Sequence, residues 1–480
     1  MTSEVINNTL YRFRSIDKLL GDEYLELENQ TIYFSPPEHL NDPVEGLRDI
    51  YFSGDLVLWR NLFRNYISCL LKFTFNYLCH GEKKNVKDNF DIFANEDDIH
   101  AGLKPSLSLA LDGFFKDDGV KQFLDNVVKY RGDVSRLELM CYLSIMHPIA
   151  LEFVILAFKT DGIINLSEFN GVDSDNAKTL SEEYFNIFNN TIVKQGKQAI
   201  DDYFIFNETF LMQQYLAIEY DSGILQENRK ALNQTFPSLY MNSIEKLMYP
   251  HWFTACFMSK ATNSSVWGNY GCNHSGVCLI FNTEHDEIND HYLTLTDVQV
   301  GYGDNGPIIG DAKLKFYEVT YSHKQKPLNF FDSLGRLPIP KFNKHWLVDM
   351  DGCQSSLRVS FDSEWRNKYW CDFYSAITQK TKDWEYENEH RLIINDMLSD
   401  HDASGVTLRY YFRSLKGIIF GIRTSSDEKL KIMKIIKRKM HENNRDNFEF
   451  YQAYYCLNTG EIKHASLDVL IHLTEDENFV

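Results

Sequence analysis

Glu387, Glu389 and Arg391 recur at two-residue spacing, with Lys380 and Trp384 just upstream and an apolar tail from Leu392 to Ile394 just downstream. Side chains of an extended strand alternate faces. Glu385, Glu387, Glu389 and Arg391 are therefore expected on one face, with Tyr386, His390 and Leu392 on the other. Carboxylates this close repel one another, and burying them costs free energy unless a cation or hydrogen-bond donors compensate. Chains keep such costs where acid–base or electrostatic chemistry happens. A charged edge strand that resists aggregation has the same spacing, so both readings stand at this point.

Other residues could join such a site. Arg12 sits in a strand-like run between Tyr11 and Phe13. Its planar, five-donor head suits a phosphate or carboxylate, or a structural bridge to one of the glutamates. Asn41, Asp42 and Pro43 form an ordered turn after Ser35 and two prolines. Trp267, Tyr270 and His274 lie among Gly268, Gly271 and Gly276, where aromatic faces beside glycines can hold a flat ring or serve as core pegs. Cys272, His274 and Cys278 lack the second ligand pair of a zinc site, so no metal is expected there. The chain has no Walker A loop, Rossmann fingerprint, HExxH or GxSxG motif. Paired carboxylates, an arginine and aromatics remain. That set fits stabilisation of a cationic, sugar-like centre.

The elements that must position these groups fall at the two ends of the chain. Period-two runs at 9–13, 31–35, 252–257, 274–281, 293–300, 317–321, 391–394, 417–421, 448–454 and 460–465 predict strands, and 362–380 and 426–443 predict helices. From about 55 to 250, apolar residues return every three or four positions, which predicts a helical region with loops near 81–106 and 170–180. The expected fold is α+β: residues 1–54 and 250–480 form a mixed or antiparallel sheet core, and 55–249 form a large helical insertion. The apolar stretch from Pro148 to Phe158 is too short for a membrane span and is expected to be a core helix.

Composition narrows the function classes. The 480 residues carry a net charge of −19, which argues against broad nucleic-acid binding. Nine cysteines occur without CxxC pairs, and no signal peptide or transmembrane span is visible, so a reduced cytoplasm and no membrane partner are the expectations.

Four blocks occur in a recognisable order: LYRF at 10–13, TIYFSPPEHLNDPVEG at 31–46, VWGNYGCNHSGVCLIF at 266–281 and KTKDWEYENEHRLI at 380–393. A fifth, LKGIIFG, lies at 415–421. Together they resemble the bacterial family known as domain of unknown function 2971. The order of an Arg strand, a Ser-bearing strand and a late Glu-x-Glu is also similar to that of ADP-ribosyltransferases. That likeness implies a split-sheet fold with NAD as substrate. Arg12 would contact an NAD phosphate, Ser35 would orient the pocket, Glu389 would be catalytic and Glu387 would steer an acceptor. Tyr11, Tyr270 and Arg391 are further candidates for the binding site, as are Asn41, Asp42, Trp267 and His274, which have no place in the ADP-ribosyltransferase pattern. Here Ser35 precedes two prolines rather than completing a Ser-Thr-Ser triplet, and Ser259 is a rival.

The leading expectation is NAD-dependent ADP-ribosyl transfer or NAD cleavage by a toxin-type effector in bacterial defence. The acceptor, macromolecule or small molecule, is left open. One alternative is a hydrolase or nuclease holding a divalent cation on Asp42, Glu45, Glu387 and Glu389. Another is a non-enzymatic sensor that binds a partner through the helical insertion.

Overall fold

A computed structural model describes residues 8–42, 45–84, 90–92, 96–164, 227–285, 290–396 and 405–467, with isolated positions at 86 and between 190 and 220. The loop expected at 170–180 lies outside the described residues. The chain divides into two compact units. Unit 1 comprises residues 1–47, 251–325 and 374–480; unit 2 comprises 48–250 and 326–373. The helical unit thus begins earlier than the apolar periodicity predicts, and it also takes in a segment read from the sequence as part of the sheet core.

Unit 1 is built on β1 (Thr9–Arg14), β2 (Thr31–Phe34), β3 (Trp252–Met258), β4 (Val277–Asn282), β5 (His291–Gly303), β6 (Gly306–Glu318), β7 (Glu389–Asn395), β8 (Val406–Tyr410), β9 (Leu415–Phe420), β10 (Glu449–Cys456) and β11 (Glu461–Ser466). Their order in the sheet is β11-β10-β9-β4-β1-β3-β7-β6-β5-β8-β2. All of these neighbours run antiparallel except β9 and β10, so the sheet is mixed. Ser35, at the end of β2, exchanges backbone hydrogen bonds with Thr254 of β3 (2.8 and 2.9 Å), which curls six strands into a closed circuit.

Alternation along the strands gives each face its own core. Leu10, Phe253, Phe257, Leu279, Phe281, Leu392 and Ile394 pack on one side with helix α5 (Ser426–Glu442), which Ser425 and Glu428 start with a capping box. Phe13, Met258, Trp267, Cys278 and Ile280 pack on the other. The expected helix over 362–380 is Ser363–Ile377. The sequence reading missed β6, whose glycines and lysines hide the period-two signal.

Unit 2 packs α1 (Leu56–His80), α2 (Lys104–Lys116), α3 (Asp118–Tyr130) and α4 (Arg136–Thr160) around an aromatic core that includes Phe63, Tyr66, Phe114, Phe123 and Tyr142. By length and composition alone α4 could cross a membrane, yet most of its apolar stretch is buried inside the unit.

Candidate functional site

The strand β1 shares a single residue pair with β3, Tyr11 with Met258, before the two diverge. Arg12 fills the gap. Its Nη2 donates to Tyr33 O (2.9 Å) and its Nη1 to Cys256 O (3.4 Å), and the guanidinium lies 5.3 Å from the centre of the Phe257 ring. The group is buried, and burial lowers its pKa to about 10. Arg12 therefore joins three strands through backbone carbonyls.

The acidic strip is arranged differently from a uniform strand face. Residues Lys382–Glu387 form a 3-10 turn, Asn388 takes a left-handed conformation (φ 49°), and β7 starts only at Glu389. Glu385 is consequently exposed and leaves the set, while Glu387 and Glu389 are each 1% exposed. Lys380 brings them together. Its Nζ donates to Glu387 Oε2 and to Glu389 Oε2, both at 2.8 Å. Lys380 is held in place because Gln379–Lys380 pairs in parallel with Thr320–Tyr321, and Trp384 covers its ammonium at 5.2 Å.

Around this bridge Arg391 is the second cation, so two cations serve three glutamates. Arg391 donates from Nε and Nη2 to the Glu389 carboxylate (2.9 and 3.1 Å) and from Nη1 to Ile377 O (2.6 Å). It also pairs with Glu45. The Tyr270 hydroxyl donates to Glu387 Oε1 at 2.6 Å, and Glu389 N–H donates to the Tyr321 hydroxyl at 2.8 Å. Burial raises the Glu389 carboxyl above its ordinary pKa against the opposing pull of Lys380. Burial alone would lower Lys380, but Glu389, Tyr270 and Glu387 outweigh it and hold the ammonium above its usual range. The Cys256 thiol is also raised, by burial and then by Glu389. The result is a dry group of carboxylates bridged by one ammonium and one guanidinium.

The other sequence-predicted residues scatter around this centre. Asp42 is buried, and its charge acts favourably on Arg391. Ser35 makes the Thr254 bridge, and its Oγ donates to Pro36 O. Asn41 is exposed, and Tyr11 is partly buried against the second core. Trp267 is a core peg, fully buried with its Nε1 bonded to Ala261 O (2.8 Å). His274 ends a left-handed run that starts at Cys272, and its carbonyl accepts from Arg423 N–H (2.8 Å). Gly276 closes this loop, where a Cβ would strike Arg14 O. Arg12 and Glu389 stay apart by strand parity: Arg12 lies opposite Leu279, on the first core's face, whereas Glu389 lies opposite Met258, on the second's.

Glu45 and Tyr321 were not singled out for the acidic cluster by the favoured sequence reading, and Lys380 entered only as a flank. Charge alone does not mark Lys380, because Lys382 and Asp383 follow it at once. Nothing local marks Tyr321. Among the described residues no group of three or more His, Cys, Asp or Glu side chains is arranged to hold a metal ion. Glu45, Glu387 and Glu389 instead face Lys380 and Arg391.

A family model described as "Protein of unknown function (DUF2971)" matches residues 266–392. Over this stretch, about a quarter of its length, the chain is similar to that family. No curated protein sequence and no solved structure matches the chain. The matched stretch contains Trp267, Tyr270, His274, Lys380, Glu387, Glu389 and Arg391, while Arg12, Ser35, Asn41, Asp42 and Glu45 come from outside it.

Proposed function

We propose that unit 1 cleaves or transfers at the N-glycosidic bond of NAD, with Glu389 stabilising the ribosyl cation and Glu387 receiving the proton of the acceptor. The observation that carries this reading is the convergence of Glu387 and Glu389 on one ammonium, 2.8 Å from each, within a buried cluster of charge. Breaking the C1′–N bond sends its electron pair out with nicotinamide and leaves positive charge on the sugar. A fixed carboxylate in a low-dielectric setting stabilises that charge far better than one in water. The acceptor then bonds to C1′ and gives up its proton. Entry of a substrate requires the Trp384 and Tyr270 side chains, which lie against Lys380 and Glu387, to move aside. The resemblance to a toxin-type defence effector supplies the cellular setting of this proposal.

A second reading has its own support. Each of the three glutamates contacts a cation, with Lys380 and Arg391 shared among them, which is what a purely structural lock between β7 and its neighbours requires. One experiment separates the two. Purified protein is incubated with NAD, with cell lysate as an acceptor source, and nicotinamide is measured by chromatography. Wild type is expected to release it and Glu389→Gln to lose at least about a hundredfold in rate, the scale of removing one electrostatic stabiliser. No release by the wild type sinks the enzymatic reading, and Glu389→Gln that changes stability alone leaves the lock.

A further inference from the structure

The strands β5 and β6, 13 residues each, form a hairpin far longer than the sheet around it needs. The strand β7 pairs with β6 only at Phe316, Tyr317 and Glu318, and β8 pairs with β5 only at Leu295 and Thr296. Beyond those points the two strands pair only with each other among the described residues, forming an arm. Its outer part is apolar: Val300, Tyr302, Ile308 and Ile309 are 45–66% exposed. Residues 298–310 contain one charged side chain, Asp304, in a chain of net charge −19. A long, uncovered, apolar strand edge pairs with another chain unless something blocks it.

The two edges of the arm differ. The edge of β5 is interrupted by register shifts at 295–298 and 299–301, and Asp297 there has a positive φ of 64°. Bulges of this kind protect an edge. The β6 side has no such irregularity, so among the described residues it is the open one. Its charges are arranged for self-recognition. Asp311 and Lys313 project on one face, either side of Ala312. An antiparallel two-fold pairing centred on Ala312 sets Asp311 of one copy opposite Lys313 of the other, twice, at cross-strand distance. The same register lays Ile309 against the aliphatic stem of Lys315.

We propose that a second copy of this chain docks on the outer edge of β6, over residues 309–315, to form a two-fold dimer through a continuous sheet. Elsewhere two copies at −19 each repel; this arm is where they meet with opposite charges aligned. Within one copy Asp311 accepts from the Tyr411 hydroxyl and Lys313 lies 3.7 Å from Glu284, both exposed contacts that the pairing can displace or share.

Sedimentation velocity of the full chain tests this, with circular dichroism to confirm folding. Wild type is expected to show a concentration-dependent monomer–dimer equilibrium. D311K or K313D alone creates two like-charge oppositions and weakens it about tenfold or more. The double swap D311K/K313D restores the opposition in reverse and is expected to return most of the affinity, whereas I309K stays monomeric. A wild type that is monomeric at about 100 µM overturns the proposal, as does a double swap no better than either single change. Monomers that bind neutral lipid vesicles would instead make the arm a membrane-contacting element.

Discussion

At the scale of single residues, Lys380 decides whether the acidic cluster can exist. Its ammonium is the shared donor for two buried carboxylates, while Arg391 serves Glu389 and Glu45 from the other side. Removing one partner of a buried ion pair strands the other charge, which costs more than the pair itself contributes. Lys380→Met keeps the length of the side chain and removes its charge, so it is expected to cost about 3–5 kcal/mol in urea denaturation. A loss under about 1 kcal/mol would mean that water reaches the glutamates and that the cluster is not dry. Much of this arrangement was legible in the sequence, because Glu-x-Glu-x-Arg beside a lysine and a tryptophan is a costly pattern. Its geometry was not. Period-two alternation put Glu385 with the others, but the left-handed Asn388 resets the phase, and only tertiary pairing with Tyr321 places Lys380.

At the scale of elements, the point where β1 and β3 part is the feature most dependent on one side chain. A guanidinium can reach Tyr33 O and Cys256 O at once; an ammonium on a flexible stem cannot hold both in that fork. Arg12→Lys is expected to leave one buried carbonyl without a partner and to cost about 1–3 kcal/mol in equilibrium unfolding. If Arg12 instead serves an NAD phosphate, the same change leaves stability alone and weakens nucleotide binding, which calorimetric titration would register. The strands themselves were mostly readable, since Val277–Asn282, residues 418–420 and Glu449–Cys456 are rich in β-branched and aromatic residues. The long arm was not. Residues 306–315 run Gly-Pro-Ile-Ile-Gly-Asp-Ala-Lys-Leu-Lys, with no core to impose a pattern on both faces.

At the scale of the whole molecule, two units with separate cores should not unfold as one, so different probes are expected to report different midpoints. Protons offer a way to move them apart. In unit 2, His147 is fully buried, with Nε2 donating to Leu232 O (2.7 Å) because a carbonyl can only accept; Nδ1 must then accept from the Tyr66 hydroxyl (2.8 Å). Burial lowers its pKa from 6.5 to about 4. A depressed folded-state pKa contributes stability that is complete above about 6.5 and declines as pH falls towards 4, a loss of about 3 kcal/mol in all. In unit 1, Glu389 has the opposite sign, because its carboxyl is raised by burial: its contribution is present at low pH and is lost as pH rises through the folded-state value. Hydrogen exchange read by mass spectrometry separates the two, following peptides of Arg136–Thr160 and of Trp252–Met258 between pH 7 and 4.5. His147→Gln is expected to shrink the acid-induced loss of protection in the first peptide and leave the second unchanged; Glu389→Gln is expected to act on the second alone. Equal responses of both peptides to either substitution would mean that the protein unfolds as a single cooperative body.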